Sequence, residues 1–160
     1  IENPNHIAHI GIIDDDPIAA TVMRARLEVK FPECLVTIYD KPVVAPQLDV
    51  YFVDNDFNGC CLATQLLSEI RQMNPDSLVV AMSSTLERDT LKDLMNGGCN
   101  AVYDKTQPKN SEPVFEVIGN YLAVLKRLRT TQTRSPFAGT VVSLRDLLHE
   151  WNRRLRRAGL

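Results

Sequence analysis

The stretch Asp49-Val50-Tyr51-Phe52-Val53-Asp54 constrains the fold more than any other. Its four central residues are apolar without alternation, so a strand made from them is buried on both faces. A strand covered on both faces belongs to a sheet with helices above and below, an α/β arrangement. The run ends on a carboxylate, and Asn55, Asp56, Asn58 and Gly59 follow as turn-formers. A helical pattern begins near Gly59, with Cys60 and Cys61 opening the helix and Leu62, Leu66, Leu67 and Ile70 along it for about four turns. An acid therefore stands where a central strand gives way to loop. In open α/β sheets, ligands bind at that edge.

The flanking chain repeats the alternation. Ala8 to Ile13 reads as a strand ending at Asp14-Asp15-Asp16-Pro17, with Asp16 suited to cap a helix and Pro17 to its first turn. Ile18, Val22, Ala25 and Val29 recur at helical spacing as its apolar side, and Phe31-Pro32 ends it. Cys34 to Tyr39 is a second strand. Residues 40–48 contain Pro42 and Pro46, which leave room for one helical turn at most. Leu78 to Met82 is a fourth strand, followed by Ser83-Ser84-Thr85. Leu86 to Asn96 is helical and closes on Gly97-Gly98. Asn100 to Tyr103 is a fifth strand before Asp104-Lys105, and a helix follows from about Glu112 to Arg129. Regular alternation predicts a parallel sheet with helices on both faces.

Composition bounds the function. With 160 residues, 44% hydrophobic and 24% charged, the chain has enough apolar material for one domain with a real core. No apolar run reaches bilayer length and the first residues carry no signal-peptide core, which predicts a cytoplasmic protein. Cys34, Cys60, Cys61 and Cys99 show no metal-ligand spacing and read as small buried or half-buried residues of a reducing compartment. His6 and His9 have no third ligand nearby and read as surface residues before the first strand. Charge is uneven. Residues 1–125 carry nine Lys/Arg against eighteen Asp/Glu, whereas residues 126–160 carry nine against two. An acidic body with a basic tail speaks of contacts, not of fold.

Four strand ends bring polar residues to one edge: Asp14 and Asp15, Asp54, Ser83 and Lys105. Three carboxylates there repel unless a cation sits among them. All-oxygen donors suit Mg²⁺. A lysine and a hydroxyl facing an acid and a hard cation suit phosphoryl chemistry, where charge develops on the phosphoryl oxygens.

In these features residues 8–128 resemble the receiver domain of two-component response regulators, of the chemotaxis-regulator type. The features are Ile12-Ile13-Asp14-Asp15-Asp16-Pro17, Asp49 to Asp54, Ser83-Ser84, and Gly98 seven residues before Lys105. The resemblance implies a doubly wound, flavodoxin-like parallel sheet of five strands in order 2-1-3-4-5, with the second helix short or absent here. It implies that Asp54 accepts a phosphoryl group from a phosphohistidine of a histidine kinase or histidine phosphotransfer protein. Asp15, Asp54 and the backbone carbonyl of Asp56 would hold Mg²⁺, with Asp14 acting through water, and Ser83 and Lys105 would hold the phosphoryl oxygens. Such a chain is a switch and not an enzyme beyond its own phosphorylation and slow dephosphorylation. The chain departs from the pattern at three places. The loop after Asp54 is short and lacks the family's proline, Thr106 follows the lysine where a cis-proline is usual, and Val102 occupies the place of an aromatic switch residue, with Tyr103 beside it.

Other readings differ in class. The chain could be a degenerate receiver that binds without phosphorylation, or a fragment of a larger transcriptional regulator. Asp54-Asn55-Asp56 also has the Asp-x-Asp form of haloacid-dehalogenase-type hydrolases, although there it ends the first strand. In domain terms, residues 1–130 read as the receiver, 131–140 as a linker and 141–160 as a basic amphipathic helix. Leu144, Leu147, Leu148, Trp151 and Leu155 form its stripe, with Arg145, Arg153, Arg154, Arg156 and Arg157 around it. That helix predicts contact with a second chain, with a partner protein or with the receiver itself. It does not point to a membrane or to specific nucleic-acid reading.

Overall fold

A computed structural model describes residues 7–134 together with residues 151 and 153. Five parallel strands form the main sheet: β1 (His9–Ile13), β2 (Leu35–Tyr39), β3 (Val50–Asp54), β6 (Leu78–Ser83) and β7 (Ala101–Asp104). Their order is β2-β1-β3-β6-β7, which is 2-1-3-4-5 when only these five are counted. The direction of winding reverses between β1 and β3, so the switch point of the topology lies between the ends carrying Asp14 and Asp54. Val50 to Asp54 is buried throughout, as its unbroken apolar run requires.

Helices α1 (Pro17–Lys30), α2 (Ala63–Met73), α3 (Arg88–Asn96) and α4 (Glu112–Arg134) cover the sheet. One core joins Ile10, Ile12, Val50, Phe52, Val80 and Met82 to α1 and α4; the other joins Ile13, Tyr51, Val53, Val79 and Ala81 to α2 and α3. Trp151, half-buried and helical, packs against the first of these cores. The rest of the expected linker and terminal helix (residues 135–150, 152 and 154–160) lies outside the described residues, as does His6.

No helix connects β2 to β3. The ten residues between them lie on the sheet instead, with Val44 and Leu48 buried and the Tyr51 hydroxyl donating to Ala45 O at 2.5 Å. Gly11 makes room for this path, because a Cβ there would stand 2.3 Å from Leu48 Cδ1.

The structure corrects several details. The stripe Ile18, Val22, Ala25 and Val29 faces solvent, with Ile18 and Val29 75% and 84% exposed. Helix α1 buries Ala20, Met23 and Leu27 instead. The helix carries apolar residues on both sides; the Asp16 cap, with its bonds to Ile18 and Ala19 N–H, sets where it starts, and packing of Ala20, Met23 and Leu27 into the core decides which side meets the sheet. Helix α2 starts at Ala63 and runs eleven residues, three turns rather than four, because residues 56–61 fold as a hairpin of β4 (Asp56–Phe57) and β5 (Cys60–Cys61). Cys60 and Cys61 are therefore exposed on a strand, while Cys34 is half-buried and Cys99 buried. His9 opens β1, half-buried, and is not a surface residue ahead of it. Helix α4 continues through residues 130–134, where a linker was expected. The Thr130 and Thr131 hydroxyls return to the carbonyls of Lys126 and Arg127, and residues 130–134 contain no proline or glycine to break the helix.

Candidate functional site

The carboxyl edge of the sheet gathers Asp14 after β1, Asp54 at the end of β3, Ser83 at the end of β6 and Lys105 after β7. Parallel pairing puts these positions side by side: Ile13 is opposite Val53, Asp54 opposite Met82 and Ser83 opposite Asp104. The Lys105 N–H donates to Ser83 O at 3.0 Å, which fixes the lysine at the strand end.

Asp14 and Asp54 are each 1% exposed. The Lys105 ammonium lies 2.9 Å from Asp14 Oδ2 and 2.9 Å from Asp54 Oδ1. Neither of those two oxygens has another partner among the described residues. The second Asp14 oxygen accepts from Asp16 N–H at 2.9 Å, so the cap of α1 and the buried acid hold one another. Asp15 is half-buried, and its Oδ2 accepts from Asn58 N–H at 2.9 Å. The three acids Asp14, Asp15 and Asp54 offer oxygens within 4.8 Å of one another.

Burial pushes the Asp54 carboxyl up to about 6 from an ordinary 3.8. The Lys105 ammonium and the Asp56 N–H pull it down, and the Asp14 charge pushes with the burial. For Lys105 burial works against the charge, but hydrogen bonds and attraction from Asp14 and Asp54 win and raise it. Two buried acids thus share one half-buried cation, and negative charge is in excess. The acids fit a hard divalent ion: they are oxygen donors on three side chains, two with an oxygen held only by an ammonium.

Of the residues read from sequence, Asp14, Asp15, Asp54 and Lys105 come together. Ser83 reaches the same edge, but its hydroxyl is engaged with its own loop, accepting from Thr85 N–H and donating to Thr85 O, both at 3.1 Å. Asp56 is half-buried at the foot of the hairpin, and its carboxylate stands outside the acid cluster. Sequence reasoning missed Asn58, whose N–H holds Asp15. The signal was present in Asn58-Gly59, since two residues at positive φ (47° and 78°) make the two-residue turn that matches strand twist. Tyr103 and Val102 point to opposite faces of the sheet. Val102 packs in the α2/α3 core, while Tyr103 belongs to the α1/α4 core and its hydroxyl accepts from Arg26 Nη1 at 2.7 Å. Arg26 also donates to Pro108 O and to Ser111 Oγ. Tyr103 is thereby committed to α1 and cannot stand in for an aromatic on the Ser83 side.

No family model and no curated protein sequence matches the chain. Solved structures do match. A receiver domain protein from Methanospirillum hungatei superposes with a TM-score of 0.63 at 18% identity, over 76% of this chain and 98% of that one. The receiver domain of a DNA-binding response regulator from Colwellia psychrerythraea gives 0.62 at 22%, over 72% and 98%. A response regulator protein from Thermotoga maritima in complex with Mg²⁺-BeF gives 0.59 at 15%, over 72% and 99%. Strand order, the acids at the switch point and these superpositions lead to one conclusion: residues 7–134 have the fold of a response regulator receiver domain.

Proposed function

We propose that this chain is the phosphoacceptor switch of a two-component phosphorelay, working in the cytoplasm, with Asp54 taking a phosphoryl group from the phosphohistidine of a histidine kinase or phosphotransfer protein. One observation carries the reading. The Asp54 carboxylate sits buried at the end of the central strand, with one oxygen facing only the Lys105 ammonium that Asp14 shares.

In the transfer an Asp54 oxygen attacks phosphorus, the phosphorus–nitrogen bond of the donor breaks, and the electron pair leaves on the imidazole. Lys105 holds Asp54 and Asp14 in the resting state at 2.9 Å each, so it is already placed where new phosphoryl oxygens would arrive. Asp14, Asp15 and Asp54, with the Asp56 carbonyl, would hold Mg²⁺, which when bound supplies the positive charge that offsets the acids and the phosphoryl oxygens. Burial keeps bulk water away from the acceptor. The Ser83 hydroxyl has to leave Thr85 to meet a phosphoryl oxygen, and this movement would report the modified state to the loop before α3. Val102 offers no aromatic to follow it, so output passes through other contacts, by protein–protein association.

Incubating the chain with acetyl phosphate and Mg²⁺ and mapping the adduct by mass spectrometry tests the assignment. Label on Asp54 that disappears in Asp54→Asn is the expected result; label that persists in that variant refutes it. Sustained turnover of a generic phosphate ester would favour the hydrolase reading instead. No helix among the described residues is long and apolar enough to cross a membrane.

A further inference from the structure

The hairpin beside the acids carries two exposed thiols that the phosphoryl reading does not use. Cys60 pairs with Phe57 and Cys61 with Asp56, with the turn at Asn58-Gly59 between them. Phe57 is 2% exposed and seats one strand of the hairpin in the α2/α3 core, while Asn58 N–H clasps Asp15 Oδ2. Both cysteines are free and exposed. Cys34 is half-buried and Cys99 buried, and burial pushes each of these two thiols up to about 11.

We propose that Cys60 and Cys61 are a thiol-modification site for small-molecule disulfides, and that an adduct there loosens Asn58 from Asp15 and weakens divalent-cation binding by the acid cluster. This rests on the metal reading given above. The chemistry balances. A cysteine thiolate attacks one sulfur of the disulfide, that S–S bond breaks, a mixed S–S bond forms, and the departing thiolate takes up the proton the cysteine released. Successive residues of a strand point to opposite faces, so an adduct on Cys60 falls on the Phe57 side and one on Cys61 on the Asp56 side. The ladder is only two residues long on each strand, so an adduct on either thiol bears directly on the turn that carries Asn58. A direct Cys60–Cys61 disulfide would require the strand to abandon its extended form and would undo the same ladder. Asp15 then loses the N–H that orients it, and a pre-organised ligand becomes a loose one.

The test titrates Mg²⁺ calorimetrically into the intact chain before and after treatment with hydroxyethyl disulfide, whose neutral adduct adds no charge of its own. The expected result is adducts mapped to Cys60 or Cys61, several-fold weaker Mg²⁺ affinity, a shifted Asn58 amide resonance, and recovery on reduction. The double variant Cys60→Ser/Cys61→Ser should bind Mg²⁺ as the native chain does and ignore the reagent. Unchanged affinity or an unmoved Asn58 resonance in fully modified protein overturns the proposal, as does a response that survives in the double variant. A native chain that takes no Mg²⁺ before treatment overturns the metal reading together with this one; normal Mg²⁺ uptake that is blind to the reagent overturns this one alone.

Discussion

Where the strands begin, the half-buried charges of Asp49 and Arg71 are answered. Asp49 accepts from His9 N–H at 2.9 Å and from Arg129 Nη2 at 2.6 Å. Arg71 spreads its guanidinium over the carbonyls of Gly98, Pro75 and Ser77 and over Asn100 Oδ1, which in turn accepts from Val79 N–H. Where the strands end, Asp14 and Asp54 divide one ammonium between them and Asp15 leans on a hairpin. The same sheet is knitted for stability at one edge and left electrostatically short at the other. That shortage of positive charge is what suits the second edge to a cation.

Four substitutions sharpen the contrast. The largest effect is on chemistry: Asp54→Asn abolishes uptake of label from acetyl phosphate, read by mass spectrometry, while Asp49→Asn at the opposite edge leaves uptake in place. Next comes Arg71→Ala, which strands the acceptors of buried Ser77 and of half-buried Gly98 and Asn100 and lowers stability by about 3 kcal/mol in a denaturant titration. An unaffected midpoint would show that the quiet edge is held by something else.

A smaller effect has the opposite sign. With Asp54 held at about 6 when folded and 3.8 when unfolded, the native state keeps a proton that the unfolded state has lost between those values. Stability of the metal-free protein therefore falls as pH rises from about 4 to about 6, and the full cost persists above that range. Asp54→Asn removes it, gaining about 1–2 kcal/mol at pH 7.5 without metal and flattening that part of the pH profile. Loss of stability at pH 7.5 would place Asp54 among the satisfied groups. The smallest effect is Gly59→Ala, which forces an alanine to φ 78° and costs about 1 kcal/mol, with weaker Mg²⁺ binding as the hairpin shifts from Asp15.

Residues differ in how far the sequence betrayed them, and for physical reasons. Val50 to Val53 could be nothing but a doubly covered strand, and Asp14, Asp54 and Lys105 follow from the strand ends that carry them. Asp16 and Pro17 marked the start of α1 because capping is local chemistry. Which side of α1 faces the sheet was not local. Ile18, Val22 and Val29 are as apolar as Ala20, Met23 and Leu27, and only packing chooses between them. The hairpin at residues 56–61 was hidden by the helical spacing of Leu62, Leu66 and Leu67, which overshadowed the turn signal at Asn58-Gly59. The direction of the Ser83 hydroxyl depends on Thr85 and has no signature in spacing at all.

The helix-free crossover between β2 and β3 sets a limit on chain length. It must pass over β1, two strand spacings or roughly 10 Å, and travel back the length of a strand, roughly 17 Å. Ten residues reach at most about 33–36 Å when fully extended, and part of that reach goes into rising over the sheet and coming down again. The remaining length goes into the bend at Lys41-Pro42 and the turn at Pro46-Gln47, after which Leu48 settles into the space above Gly11. The tether is therefore one-sided in what it permits. Added residues cost only the slow logarithm of loop closure, whereas removing a few would pull β3, with the acid at its tip, out of register with its neighbours.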